Sequence, residues 1–209
     1  MTTFDRKSHW EKIYKTKSLQ EVSWYQPVPK TSLSFFRDLK VSKKAKIIDI
    51  GGGDSLLVDH LLAAEFENIT VLDISEKAIE RAKYRLGDKA DKVNWLIGDI
   101  AELELTEQYD VWHDRAAFHF LRAKQEILHY TNLCYHNTGQ NGFVIIGTFS
   151  DTGPVKCSGI EIQQYSKKSL MANFGDKFEK VKCIQVDHNT PFDTTQNFIF
   201  CSFKKLSGR

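Results

Sequence analysis

No apolar run in this chain approaches the ~18 residues that a membrane-crossing helix needs. The longest, Phe143–Phe149, has the length of a strand. The opening residues Met1–Tyr14 are polar and lack the apolar segment of a secretory leader. The four cysteines, Cys134, Cys157, Cys183 and Cys201, are widely spaced, with no C-x-x-C pair and no metal-ligand rhythm. These absences predict reduced, mostly buried thiols, no metal, no membrane and a cytoplasmic location. Charge of one sign is also missing: 29 basic residues against 27 acidic leave a net charge of +2. With no basic stripe interleaved with aromatics, nucleic acid is not expected as a partner. No repeat, low-complexity tract or linker interrupts the sequence.

The composition is that of a soluble domain. At 209 residues, with 41% hydrophobic and 27% charged residues, the chain can bury a full three-layer core in one domain spanning 1–209. Its centre is the stretch from Lys46 to Ser55, where an apolar strand runs into Gly51, Gly52 and Gly53 and an amphipathic helix follows. A glycine turn at the carboxyl end of a buried strand lets backbone N–H groups approach a ligand with no Cβ in the way. A second short strand ends in Asp73, 22 positions after Gly51. That is about the spacing of a carboxylate that binds ribose hydroxyls. A dinucleotide fingerprint needs G-x-G-x-x-G, but its third position is Leu56, and Asp54 puts a negative charge where a pyrophosphate would sit. A nucleoside cofactor without phosphate fits better, and S-adenosyl-L-methionine (SAM), with its cationic sulfonium, is the obvious one.

At Asp49-x-Gly51-x-Gly53 the chain resembles the class I SAM-dependent methyltransferases, whose first motif is an acidic residue, any residue, then G-x-G. Ser55 stands where that motif often has another glycine. The resemblance implies an α/β fold: a three-layer, doubly wound, mostly parallel seven-stranded sheet with a closing antiparallel hairpin. It also implies that residues 1–42 form a helical cap or lid over a core of residues 43–209. In such a lid Trp24 and Tyr25 face the ligand, where an aromatic ring near a sulfonium gains roughly 0.5–2 kcal/mol; the alternative is that they anchor the segment by apolar burial. Asp99 would bond the adenine amino group with Ile100 against the ring, unless Asp99 only closes an Asx-turn. Gly52, Ile74, Gly98 and His113 complete the implied cofactor set.

The remaining pattern agrees with that architecture. Ser8-x-x-Glu11 predicts a capping box with Trp10, Ile13 and Tyr14 on one helical face. Further helices are expected over 31–39, 55–66, from Ser75 onward and 123–135, and strands at 69–73, 93–97, 109–112 and 143–148. A long loop, 150–165, is expected to carry no elements of its own and to be functional. A short helix capped by Ser166 and two closing strands, 178–186 and 197–203, end the pattern. Asp49, Asp73, Asp99 and Asp114 all fall at the carboxyl ends of strands, where open parallel sheets bind ligands.

Methyl transfer needs an acceptor lone pair aimed at the methyl group, with positioning and sometimes a base from the protein. Asp114, Arg115 and His119, together with His113, lie between the fourth strand and its helix. His119 is the candidate base, with a purely structural role as the alternative; Arg115 binds an anionic acceptor or pairs with a carboxylate. His188 and Gln196 join the acceptor pocket or are merely solvated. Asp114–Arg115–Ala116–Ala117 replaces the [DNS]-P-P-[YFW] motif of enzymes that methylate amide or exocyclic amine nitrogens. It is similar to thiopurine S-methyltransferase-like enzymes and, more loosely, to some protein-lysine methyltransferases. Ser23–Trp24–Tyr25–Gln26 and Cys157–Ser158–Gly159 are shared with small stand-alone bacterial-type methyltransferases. The expected partner is a small-molecule acceptor or a protein lysine, and the expected state a monomer or weak dimer. A nicotinamide oxidoreductase and a SAM-binding protein without turnover remain as alternatives.

Overall fold

The computed structural model describes residues 4–206. In chain order the elements are α1 (Arg6–Thr16), α2 (Lys30–Asp38), β1 (Lys46–Ile50), α3 (Leu57–Ala63), β2 (Asn68–Asp73), α4 (Glu76–Leu86), β3 (Val93–Ile97) and β4 (Tyr109–Arg115). Then follow α5 (Lys124–Asn137), β5 (Thr138–Phe149), β6 (Lys156–Cys157), β7 (Ile160–Glu161), α6 (Lys167–Phe174), β8 (Phe178–Asn189) and β9 (Thr195–Lys205). Seven strands form one sheet in the order β3-β2-β1-β4-β5-β9-β8. The first five are parallel, and β9 runs antiparallel to both β5 and β8. The strand order reverses at β1 and β4, which opens a crevice beyond their carboxyl ends.

Both faces of the sheet are covered, which is why the central strands read as continuous apolar runs. Side chains alternate between the two layers. Ile48, Ile50, Trp112, Val144 and Ile146 pack with Tyr130, Leu133, Leu170 and Phe174 from α5 and α6. Ile47, Val71, Val111 and Ile145 pack with Phe35 and Phe36 of α2, Leu57, Val58 and Leu61 of α3, and Ile79 of α4.

Several expectations are corrected. The cap of α1 is Asp5, whose carboxylate accepts from the Ser8 N–H at 2.9 Å and from its hydroxyl at 2.6 Å. The helix therefore starts a turn earlier than a Ser8 cap requires, and Glu11 is left free to act elsewhere. Strand β4 continues to Arg115 because His113 and Asp114, although polar, find partners inside the protein, described below. Residues 150–165 are not element-free: β6 and β7 form a two-stranded hairpin. Its turn, Ser158–Gly159, has positive φ at both residues, 51° and 79°, the conformation that matches the twist of the flanking strands. Cys183 and Cys201 are not free thiols. They face each other across β8 and β9 and are joined in a disulfide, whereas Cys134 and Cys157 are free and buried.

Candidate cofactor and acceptor site

The glycine turn owes its shape to what lies beneath it. Gly51 has φ of +65° and sits where a Cβ would be 2.8 Å from the Ala117 Cβ. A Cβ on Gly53 would strike the Asp73 carboxylate and come within 2.9 Å of the Ala78 Cβ. The turn is braced from behind by Asp54, a buried carboxylate paired with Arg85 and, at 2.7 Å, with Arg81 of α4. This corrects the sequence expectation for Asp54. Its charge is directed at two guanidinium groups and not at a ligand, so it does not itself argue against a pyrophosphate.

Above the turn lies an open cavity. Its floor is built from strand ends: Ile50 and Gly51 after β1, Asp73 and Ile74 after β2, Gly98, Asp99 and Ile100 after β3, and Arg115 to Ala117 after β4. Its roof is aromatic. Trp10 packs edge-on against Trp24 at 5.7 Å and against Phe120 at 5.1 Å, and Tyr14 meets Trp24 at 6.2 Å. Cys157, delivered by the β6–β7 hairpin, closes one side. Arg6, Trp10, Tyr14, Phe120 and Cys157 were not among the sequence candidates for the site. The signals that point to them are the shared helical face of Trp10 and Tyr14 and the Cys–Ser–Gly motif.

The expected site residues separate into two groups. Trp24, Gly51, Asp73, Ile74, Gly98, Asp99, Ile100 and Arg115 line the cavity. Asp49, Gly52, Gly53, His113, Asp114, His119 and Tyr25 do not. Asp49 and His113 form a buried pair, Nδ1 to Oδ1 at 2.6 Å, with the His113 Nε2 2.9 Å from the Ser32 hydroxyl of α2. Asp114 accepts from the Tyr130 hydroxyl at 2.6 Å, the Ala117 N–H at 2.9 Å and the Phe118 N–H at 3.0 Å. It thereby holds the turn that carries Ala116 and Ala117, while burial pushes its pKa up to about 6. His119 is fully buried, and its Nδ1 accepts from the Phe149 N–H at 3.3 Å. Burial, aided by the Arg115 charge, drives its pKa down to about 3. His119 is therefore neutral and set behind the wall, so it is not placed as a base. His188 fastens the N-terminal segment, Nε2 donating to the Ser23 carbonyl at 2.7 Å and Nδ1 lying 3.2 Å from the Gln26 amide.

The titratable groups on the floor are those of a nucleoside site with one cationic end. Asp73 is buried, accepts from the Ser75 N–H at 2.8 Å, and is pushed up to about 7, chiefly by desolvation. Asp99 closes an Asx-turn onto the Ala101 N–H at 2.9 Å and meets Arg6 at 3.2 Å. Asp99 therefore closes the turn and also lines the cavity. Arg115 donates through Nη1 to the Trp24 carbonyl at 3.0 Å and lies over the Phe198 ring at 5.4 Å. Glycine-turn, carboxylates, aromatic roof and cation suit a nucleoside cofactor carrying a sulfonium. Among the described residues no cluster could hold a metal ion, and no helix is long and apolar enough to cross a membrane.

Comparison with known proteins points the same way. Residues 48–143 match the family model described as a methyltransferase domain. The chain is 36% identical over 106 residues to a malonyl-[acyl-carrier protein] O-methyltransferase of Anoxybacillus flavithermus, covering 50% of this chain and 39% of the relative. It is 32% identical over 140 residues to a ubiquinone biosynthesis O-methyltransferase of Rickettsia prowazekii, covering 66% and 54%. The chain spans about half the length of the curated relatives it matches or less, 39% to 48% for the first three. Among solved structures, the N-methyltransferase NodS of Bradyrhizobium japonicum superposes with a TM-score of 0.73 at 13% identity, over 97% of this chain and 100% of NodS. At that identity the likeness speaks for the fold alone. The glycine turn, the strand order and these relatives together support a class I, Rossmann-like, SAM-dependent methyltransferase domain.

Proposed function

We propose that this protein transfers a methyl group from SAM to a small-molecule acceptor. The observation that carries the reading is the single cavity in which Gly51, Asp73, Asp99 and Arg115 meet at the ends of four adjacent parallel strands. In this reading Asp73 accepts from the ribose hydroxyls, Asp99 and Ile100 take the adenine, and the roof of Trp10, Tyr14 and Trp24 keeps water out. The cofactor, when bound, supplies an activated methyl group for in-line displacement, and the chain contributes position and desolvation.

The groups on the wall favour an acceptor that needs no help losing a proton. His119 is neutral and fully buried, and Asp114 is occupied by three donors. Burial raises the Cys157 thiol to about 11 and lifts the Tyr14 hydroxyl well above its usual range. An acceptor that reacts as an anion, such as a thiolate or carboxylate, suits such walls. A protein lysine is the second reading, favoured by a 27% identical mouse relative described as an eEF1A lysine and N-terminal methyltransferase.

Calorimetric titration with SAM, S-adenosylhomocysteine, NAD and NADP tests the cofactor. Release of S-adenosylhomocysteine over a panel of thiols, carboxylates and lysine peptides then tests turnover. Binding of NAD or NADP with no binding of the SAM pair overturns the proposal. SAM binding without turnover on any acceptor leaves a binding protein.

A further inference from the structure

Arg115 is a half-buried cation with no ion pair among the described residues. It lines the cavity, yet no carboxylate among the described residues forms an ion pair with it. Its single hydrogen bond goes to a neutral carbonyl, that of Trp24, and its Nη2 is sealed from solvent with no partner at all. The other arginines near the site behave differently: Arg6 pairs with Asp99 and Glu126, Arg81 with Asp54, and Arg85 with Asp54 and Asp59. Burial lowers the Arg115 pKa to about 10, which leaves it charged at neutral pH. A guanidinium nitrogen sealed from water is costly unless paired, and the planar fork matches an oxyanion. The fixed surroundings agree with a ligand partner. The aromatic ring of Phe198 supports the guanidinium from below, while both carboxylates on the cavity floor, Asp73 and Asp99, lie after β2 and β3, with β1 between them and β4.

We propose that Arg115 is the anion anchor of this cavity, pairing with a carboxylate or comparable oxyanion of a bound molecule. The anion is either the amino-acid carboxylate of the cofactor or a group on the acceptor. The inference rests on the methyltransferase reading for the identity of the ligands, and on the unpaired guanidinium alone for their charge.

The test uses the full chain and its Arg115→Met and Arg115→Lys variants, each first checked for cooperative unfolding. Calorimetry with S-adenosylhomocysteine is set beside 5′-methylthioadenosine, which keeps the nucleoside and thioether but lacks the amino-acid end. Thermal midpoints are read in parallel with sodium sulfate and with succinate, against sodium chloride at equal ionic strength, with and without S-adenosylhomocysteine. If Arg115→Met weakens S-adenosylhomocysteine at least tenfold and leaves methylthioadenosine unchanged, the cofactor carboxylate is the partner. If both nucleosides bind as in wild type, but the stabilisation of the S-adenosylhomocysteine complex by sulfate or succinate is lost, the acceptor supplies the anion. Arg115→Lys, which keeps the charge and loses the fork, falls between wild type and Arg115→Met, and it carries the comparison if Arg115→Met does not fold. Equal behaviour of wild type and variants in every arm overturns the inference. Wild type that binds neither nucleoside instead removes the methyltransferase reading, and the sulfate arm on ligand-free protein still decides whether Arg115 takes an anion.

Discussion

His113 and Asp49 share a buried hydrogen bond of 2.6 Å between adjacent parallel strands. The acidic residue of the glycine motif is thus held by the protein itself. His113 extends the chain of contacts to Ser32, so that β1, β4 and the N-terminal helix α2 meet at one imidazole. Its role is to fix the floor from below.

Replacing His113 with Ala leaves Asp49 buried without its partner. Breaking such a pair costs ~3–5 kcal/mol, which for a chain of this size lowers the thermal midpoint by roughly 6–20 °C. Urea unfolding of wild type and His113→Ala measures it. A loss below ~1 kcal/mol rules out a structural anchor.

Asp73 gives a pH-dependent signature. Its carboxyl holds a proton up to about pH 7 in the folded chain, but only to ~3.9 when unfolded. The folded state is then the better proton binder, so this group's contribution to stability is full below ~pH 4 and is lost as pH rises through about 7. Asp73→Asn should therefore raise the stability of ligand-free protein at pH 8, by an amount of order 1–4 kcal/mol, while weakening S-adenosylhomocysteine. In wild type that affinity should improve roughly tenfold from pH 6 to pH 8 as the carboxylate ionises, and the variant should show no such slope. A slope that survives the substitution assigns it to another group.

Arg81 joins the N-terminal segment to the glycine turn. It donates to the carbonyls of Tyr14 at 2.9 Å and Lys17 at 2.6 Å while pairing with Asp54. Arg81→Met removes two charge-assisted bonds, each worth ~1.5–3 kcal/mol at most. The expected results are faster release of S-adenosylhomocysteine, by at least roughly tenfold, and faster proteolysis between residues 17 and 29. Stopped-flow dissociation unchanged from wild type would show that the segment is not what retains the ligand.

His119 should stay neutral throughout the working pH range. With a pKa near 3 and Nδ1 accepting from Phe149, the expected tautomer carries its proton on Nε2. Long-range nitrogen–proton NMR between pH 5 and 8 should show no titration of this ring, and a midpoint above pH 5 restores it as a candidate base.

The sheet was legible because its signals are local. Glycine at 51–53, acids at strand ends and apolar runs between them follow from what a doubly covered parallel sheet requires. What escaped was long-range. Asp114 and His113 look like loop residues on polarity, yet Tyr130 and Asp49 satisfy them inside the sheet. His119 has the side chain of a base, and only its burial against Phe120 and Phe149 takes that role away. Glu11 suits a capping box in α1, but its carboxylate crosses to the start of α4, accepting from the Glu76 N–H at 2.6 Å. In each case the decisive partner lies far along the chain, where no spacing rule reaches. The Cys183–Cys201 bridge escaped for the same reason, since only strand register puts the two side by side.

The roof has a consequence for how the molecule is made. Arg6 reaches Asp99 and Glu126, and the Ser23 carbonyl reaches His188, separations of 93, 120 and 165 residues. During synthesis residues 6–29 emerge before any of these partners exists, and the last of them arrives only with the closing hairpin. The aromatic side chains of that segment must stay exposed while the sheet behind them is still being translated. Loop closure over such distances is slow, so this segment, made before its partners, is seated after them.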